Sequence, residues 1–375
     1  MKVRVAHLTD VNLDTAFFQA IASHLDPTRF ELVMGSLAAP GALQASMSAR
    51  GIRTFGLGLP LRSPRAVLSL VSVLRRERID LLHAHCFLPT LWGLLAARLS
   101  GCPMVFTRHH SDHHLRLGRR LPVALDAWCA KHADQVIAVS EATRTILVEA
   151  EGVPKEQITV VHNGIEPLSH GGPREIADLR ADLGLDPNHA VCLVPARLHE
   201  EKGHSTLFSA IKDVVAEVGP LTVLLAGDGG FRSHLETLVA QMGLSNAVRF
   251  LGRRPDVPDL MLLSDVVIVP SLAESFGFVA LEAMFLGRPL IVSSAGGLPE
   301  VVDDCGRVFP MGDAKALAAA MITTLRNPAE ARVLGEAGRV RARLFTATAM
   351  VQGYEAVYQR VLRLGETPGI SPRAH

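Results

Sequence analysis

The sequence predicts an α/β fold made of two doubly wound parallel-sheet domains, and three observations carry that expectation. Apolar, β-branched runs such as Val266-Val267-Ile268-Val269 lack the polar alternation of a half-exposed strand and suit strands buried on both faces. These runs alternate with amphipathic helical stretches, and strand–helix–strand alternation implies right-handed crossovers onto a sheet covered by helices. A chain of 375 residues with 48% hydrophobic content suffices for two cores of ordinary size.

The first domain is expected over residues 1–165. Its strands are read at 3–8, 30–37, 79–83, 104–107, 135–139 and 158–161, with helical segments between them. Ser140-Glu141, directly after 135–139, suits a helix N-cap. After His162-Asn163-Gly164, the stretch 165–173 is rich in Gly, Pro, Ser and His and reads as an interdomain linker. The second domain is expected over 166–348, with strands at 191–195, 221–226, 248–251, 266–269 and 290–292. A last helical stretch is expected at 349–364, and 365–375, rich in Pro, Gly and Ser, reads as a frayed flexible tail. Ligands of open parallel sheets bind beyond the carboxyl ends of the strands, so functional residues are sought in those loops of both domains.

Composition narrows the function classes. Lys plus Arg total 38 against 37 Asp plus Glu, and a net charge of +1 gives no reason to expect nucleic acid as a partner. Cys86, Cys102, Cys129, Cys192 and Cys305 are odd in number, widely spaced and free of any CxxC pair, which argues against a disulfide framework or zinc ribbon and fits a reducing cytoplasm. Met1-Lys2 leads straight into 3–8 without the apolar core of an export signal. The apolar stretches at 66–74 and 89–106 are too short, or interrupted by Arg98, to span a bilayer, and peripheral contact with the inner face of a membrane stays open.

The stretch Pro270-Ser271-Leu272-Ala273-Glu274-Ser275-Phe276-Gly277-Phe278-Val279-Ala280-Leu281-Glu282 organises the second domain. A strand ends before it, and a helix expected at 279–286 is stopped by Gly287-Arg288-Pro289. The free N–H groups of the first helical turn, around Phe276, Gly277, Phe278 and Val279, carry partial positive charge toward the strand end, which suits a diphosphate. Gly277 permits close backbone approach, and Glu274 and Glu282 can hold hydroxyl groups on either side of the phosphates. On spacing alone, complementing the helix dipole accounts for the two glutamates equally well.

This wording resembles the Glu-x7-Glu motif of retaining glycosyltransferases of the GT-B fold, specifically glycosyltransferase family 4, also called glycosyl transferases group 1. The resemblance implies two Rossmann-like domains facing across a cleft, the first for the acceptor and the second for the nucleotide-sugar donor, with the helix at 349–364 crossing back to the first. It implies that Glu274 contacts the donor sugar's hydroxyls and Glu282 the nucleotide's ribose. The amides between them, at Ser275, Phe276, Gly277, Phe278 and Val279, are implied for sugar and phosphates.

Other segments add to the resemblance. Arg197-Leu198-His199-Glu200-Glu201-Lys202 follows the strand at 191–195 and matches the family's Arg and Lys separated by four residues. Fixed cations stabilise a departing diphosphate more as its charge develops, while a surface ion-pair network with Glu200 and Glu201 is the plainer reading. Gly227-Asp228-Gly229-Gly230 resembles the family's Gly-Asp-Gly loop, with a simple βα turn as the alternative. Arg253 falls where the family's loop borders the base and is read as stacking on it. In the first domain Val105-Phe106-Thr107-Arg108-His109-His110 resembles the family's strand-end Thr-x-His pattern. It implies that His109 positions the donor sugar, with His110 as the competing register.

His109, His110, His113 and His114 with Asp112 invite a metal reading, but GT-B enzymes generally work without a catalytic divalent ion. No metal and no cofactor are expected beyond the nucleotide-sugar co-substrate. His113, His114, Arg116, Arg119 and Arg120 form a cluster suited to an anionic acceptor or an acidic membrane surface, against the plainer reading of a solvated face. His85 resembles a family position near the cleft and is equally readable as a core histidine, and Asn163-Gly164 resembles a family turn read here as a hinge.

One family feature is missing. The loop after the first strand reads Thr9-Asp10-Val11-Asn12-Leu13-Asp14, without the usual Gly-Gly pair, which makes Asn12 and Asp14 candidates for holding a hydroxylated acceptor. The combined reading is a retaining, hexosyltransferase-type enzyme that moves a sugar from a nucleotide-diphosphate donor, UDP-sugar favoured, to an acceptor hydroxyl. The acceptor class includes anionic and lipid-linked molecules, as in cell-envelope glycolipid, polysaccharide or small-glycoside synthesis. Two alternatives stay open: a nucleotide-sugar-binding regulatory subunit without transfer activity, and a sugar-nucleotide epimerase.

Overall fold

The computed structural model describes residues 2–109, 118 and 120–363, and in it the chain divides into two compact units. One unit holds the residues described within 1–164 together with 347–363, and the other is Ile165–Thr346.

The first unit is built on a seven-stranded sheet ordered β3-β2-β1-β4-β5-β6-β7. Its strands are β1 (Val3–Thr9), β2 (Phe30–Ser36), β3 (Arg53–Gly56), β4 (Leu81–His85), β5 (Met104–Arg108), β6 (Gln135–Ala138) and β7 (Ile158–Val160), and every pairing is parallel. All residues of β4 and β5 are buried, as suits strands covered on both faces. The two faces of the sheet nevertheless pack differently. Val5, Leu81, Val105 and Ile137 meet Met350, Val351, Tyr354 and Tyr358 of the helix Ala347–Val361. Their neighbours Ala6, Leu82, Phe106 and Val136 enter a separate core with Leu70, Leu94 and Ala97. Ser140 caps the helix Glu141–Glu149, its hydroxyl accepting from the Thr143 N–H at 3.1 Å.

Two expectations need correction here. The strand read at 79–83 runs from Leu81 to His85, because Asp80 is spent on Arg4: its N–H donates to the Arg4 carbonyl and its carboxylate accepts from the Arg4 N–H at 2.8 Å. Regular pairing with β1 therefore begins at Leu81, opposite Val5, and His85 lies inside the strand at 1% exposure. The edge strand β3, Arg-Thr-Phe-Gly, is too short and too polar to announce itself.

The second unit carries a six-stranded parallel sheet ordered β10-β9-β8-β11-β12-β13. Its strands are β8 (Ala190–Pro195), β9 (Leu221–Ala226), β10 (Val248–Gly252), β11 (Val266–Val269), β12 (Leu290–Ser293) and β13 (Arg307–Phe309). The strand order reverses between β8 and β11, which makes the loops after those two strands the place where an open α/β sheet offers a ligand its crevice. The three-residue β13 escaped the sequence reading for lack of length. All five cysteines are free thiols, and no helix among the described residues is long and apolar enough to cross a membrane.

Candidate active site

At the reversal point of the second sheet, two loops are fastened together by backbone. The Leu272 N–H donates to the Glu201 carbonyl at 2.8 Å, tying the loop after β11 to the loop after β8. Gly203 follows the short 3-10 turn Glu200–Lys202 with φ of +69°, and a Cβ there would collide with the Pro270 carbonyl oxygen. The result is that Lys202 and Glu274, far apart in sequence, form an ion pair with Nζ and Oε2 2.7 Å apart. Both side chains are shielded, at 16% and 21% exposure, so the pair is not a surface ornament.

Glu274 is held from behind as well. Gly296, with φ of +51°, packs so closely that a Cβ would strike the Glu274 carbonyl oxygen, and the Gly297 N–H donates to that same oxygen at 3.2 Å. Gly277, at φ of +107°, opens the helix Phe278–Phe285, one residue earlier than the sequence suggested. Phe276 is buried, its ring 5.7 Å from Phe278 and 5.8 Å from Phe345, which anchors the turn that exposes the helix N-terminus.

A cavity of about 560 Å³ adjoins this turn, lined among others by Arg197, Gly227, Asp228, Arg253, Val279 and Glu282. Six residues singled out from sequence thus share one wall, whereas Lys202 and Glu274 lie outside that lining. Gly227 is required at its place, since a Cβ would meet the Ala196 carbonyl oxygen, and the Leu198 N–H donates to the Asp228 carbonyl at 3.1 Å. Arg197 is two-thirds exposed and stands 3.6 Å from Glu201, so part of the expected ion-pair network exists, but Lys202 turns away from it to Glu274. Arg253 is exposed at the cavity rim. Burial with no compensating charge pushes the Glu282 carboxyl up to about 7 from an ordinary 4.5, which lets it both donate to and accept from hydroxyl groups near neutrality.

In the first unit His109 follows β5 and its Nε2 lies 3.0 Å from Nδ1 of His85. Phe17 meets the His109 ring edge-on at 5.1 Å. His85 continues inward to His7, and beyond it come Tyr358, His83 and Thr107, all buried and joined by hydrogen bonds of 2.6 to 3.1 Å. His7, His83 and His85 place one ring nitrogen each within 4.8 Å of one another, a grouping that can hold a metal ion, although each of their six nitrogens already has a hydrogen-bond partner. Asn12 and Asp14, read as acceptor ligands, are engaged locally: Asn12 donates to the Ala39 carbonyl at 2.9 Å and Asp14 accepts from Gln19 at 2.6 Å. His110, Asp112, His113, His114, Arg116 and Arg119 lie outside the described residues, as does the tail at 365–375, while Arg120 opens the helix Arg120–His132.

The sequence reading passed over two groups. The Gly296-Gly297 pair after β12 carried a signal, a double glycine directly beyond a strand. The histidine file carried half of one: His83 and His85 share a face by the period of two, but His7 joins them only through the β1–β4 register, which pairs His7 with His83.

Comparison with known proteins identifies the family and the fold. Residues 11–167 match the profile described as Glycosyltransferase Family 4 and residues 175–341 that described as Glycosyl transferases group 1. The 2-deoxystreptamine glucosyltransferase of Streptomyces kanamyceticus is 30% identical over 295 residues, covering 73% of this chain and 75% of that protein. N-acetyl-alpha-D-glucosaminyl L-malate synthase of Bacillus anthracis is 29% identical over 302 residues, 78% of each. Among solved structures, Anabaena Alr3699/HepE in complex with UDP has a TM-score of 0.81 at 24% identity, covering 96% of this chain and 100% of that one. Sucrose-phosphate synthase from Thermosynechococcus elongatus gives 0.81 at 23% identity, over 96% and 100%. With both halves of the chain matched and the two parallel-sheet units in place, the protein belongs to the family 4 glycosyltransferases and has their GT-B fold.

Proposed function

We propose that the protein transfers a hexose from a nucleotide-diphosphate sugar, UDP-sugar first, to an acceptor hydroxyl with retention of anomeric configuration. The observation that carries this reading is the shielded Lys202–Glu274 pair beside the Gly277 turn, because it stores a cation and a carboxylate where a sugar diphosphate needs both. A bound diphosphate takes Lys202, with the exposed Arg197 as its second cation, and frees Glu274 to accept from sugar hydroxyls. Glu282 takes the ribose hydroxyls, Gly227, Asp228 and Arg253 border the nucleotide, and His109 keeps the sugar-positioning role that the family resemblance gives it. UDP and UDP-glucose complexes of Anabaena Alr3699/HepE support UDP as the carrier.

In the transition state the bond from the anomeric carbon to the phosphate oxygen lengthens and charge gathers on the diphosphate, where Lys202 and Arg197 stabilise it. The acceptor oxygen attacks from the face that the phosphate leaves, and the departing phosphate oxygen takes the acceptor's proton. Two side-chain cations supply the charge that a divalent ion would otherwise bring, so the reaction is assigned as metal-independent. The acceptor is a hydroxyl-bearing molecule, anionic and lipid-linked ones included, and the site of action is the cytoplasm or the inner face of the membrane. Membership of the family supports a transferase over a binding subunit or an epimerase.

NMR-monitored turnover of UDP-, GDP- and ADP-sugars by wild type and Glu274→Ala, with and without mixed hydroxyl acceptors, tests the proposal. One donor should be slowly hydrolysed or transferred, with the α configuration of an α donor kept, and the variant should lose the reaction. A donor that binds but stays intact in every mixture would favour the binding subunit, and an inverted product would refute the front-face mechanism.

A further inference from the structure

The buried polar file of the first unit has a direction. Its members share one face of the sheet: His7 pairs in register with His83, His85 pairs with Thr107, and His109 lies two residues beyond Thr107. The links run Thr107 Oγ1 to His83 Nε2 at 2.7 Å, His83 Nδ1 to the Tyr358 hydroxyl at 2.6 Å, and that hydroxyl to His7 Nε2 at 3.1 Å. They continue from His7 Nδ1 to His85 Nε2 at 2.9 Å and from His85 Nδ1 to His109 Nε2 at 3.0 Å. Burial drives the imidazole of His7 down to about 3 and those of His83 and His85 well below their ordinary value. Each of these three rings is therefore neutral near pH 7, with one N–H and one acceptor nitrogen.

Hydrogen counting then limits the arrangements. When His109 is neutral too, six groups bring six hydrogens to five links, and the sixth must sit at one end. Placed at the Thr107 end it needs a buried acceptor. Tyr354, edge-on to His83 at 5.1 Å, sets its buried hydroxyl beside Thr107 and has no other partner, so a hydrogen passed from Thr107 to that hydroxyl leaves the tyrosine's own hydrogen unmatched. Letting Tyr358 accept from both rings strands its own hydrogen in the same core. Placed at the half-buried His109 end, the sixth hydrogen leaves no buried N–H or O–H of the file unmatched.

We infer that the file runs outward from Thr107, so that His83, His7, His85 and His109 are all held with the proton on Nδ1, and that His85 and His7 are positioning residues that make His109 a hydrogen-bond donor through Nδ1. Free histidine side chains favour the Nε2–H form, so this order is imposed by the fold. The inference rests on the proposed role of His109 only for its consequence in catalysis. In that role the order gives His109 an N–H to aim at a sugar hydroxyl and takes from it the ability to act as a base through Nε2.

Long-range ¹⁵N–¹H correlation spectra of the free, full-length protein near pH 7.5 read the tautomers directly, with no donor needed. His7, His83, His85 and His109 are expected as Nδ1–H forms. An Nε2–H form at His85 or His109 overturns the inference, whatever the enzyme transfers. Tyr358→Phe cuts the file while keeping the ring; three rings then bring three hydrogens to two links, and because reversal would strand the third on buried His7 Nε2, His7, His85 and His109 are expected to keep their Nδ1–H forms. Reversion of His7, His85 and His109 to Nε2–H forms in that variant would also overturn it. Should Tyr358→Phe fail to fold, His85→Asn and His85→Leu separate the readings. The asparagine amide still donates toward His109 and should keep its Nδ1–H form, the leucine should lose it, and equal spectra of His109 in the two would refute the assignment.

Discussion

Replacing Glu282 by glutamine tests whether the donor cavity stores a proton. In the folded chain burial raises this carboxyl from 4.5 to about 7, a difference worth roughly 3 kcal/mol when ionisation is complete. The sign follows from proton uptake: between these two values the folded state holds the proton more often than the unfolded state. Glu282 therefore contributes stability that is complete below about 4.5 and is lost as pH rises through about 7. Glutamine keeps the shape and cannot ionise, so the stability difference, variant minus wild type, should grow by up to roughly 3 kcal/mol from pH 4.5 to pH 8. Chemical denaturation across that range measures it, and taking the difference cancels the titration of every other group. Donor binding gives the second arm. Ribose hydroxyls donating to an ionised Glu282 require proton release near neutrality, so affinity for UDP-glucose should weaken as pH falls below about 7, approaching tenfold per pH unit, in wild type and not in Glu282→Gln. Calorimetry in buffers of different ionisation enthalpy counts the proton. Parallel stability curves for the two proteins would refute the burial argument, and a pH-independent wild-type affinity would refute a ribose contact made through the ionised carboxylate.

Three further outcomes are expected. Lys202→Met should lower kcat/KM by about 10²- to 10³-fold in steady-state turnover, by removing a fixed cation from the diphosphate, and a change under about threefold would remove Lys202 from catalysis. Gly203→Ala and Gly296→Ala each put a Cβ at positive φ against a backbone carbonyl, and should destabilise by about 1–3 kcal/mol or more in denaturant titrations while weakening donor binding. Because His7, His83 and His85 are held neutral, folding stability should be present above about pH 6.5 and fall below it. The limiting slope approaches 4 kcal/mol per pH unit if all three protonate on unfolding, read as proton uptake in acid denaturation, with the His7 contribution persisting down to about pH 3.

The donor half was legible because its chemistry is local in sequence. Gly277 and Glu282 lie within one strand–loop–helix unit, and glycines whose Cβ would meet backbone must stand at fixed offsets from the strand ends. The pairing of Lys202 with Glu274 was less legible, since both were assigned to ligand and nothing in the spacing says that they hold each other when it is absent. The acceptor half resisted for a different reason. Asn12 and Asp14 have the right chemistry for a hydroxyl, and no local pattern announces that Asn12 also donates to Ala39 and Asp14 also accepts from Gln19, 27 and five residues away. His7 and Tyr358, 351 residues apart, meet only because β1 lies beside β4 and the last helix covers both, and no local pattern encodes that.

The helix Ala347–Val361 also sets an order of events during synthesis. It belongs to the first unit, yet the whole of Ile165–Thr346 precedes it on the ribosome. The second unit is a continuous segment and can close its core as soon as it has emerged. The first unit cannot: until residues 347–361 arrive, the face bearing Val5, Leu81, Val105, His7 and His83 waits without Tyr354, Tyr358 and Met350 to cover it. The part of the chain made first is thus the part finished last. Its half-built sheet is a transient, sticky surface, and the interval in which it needs protection is set by the translation time of its neighbour.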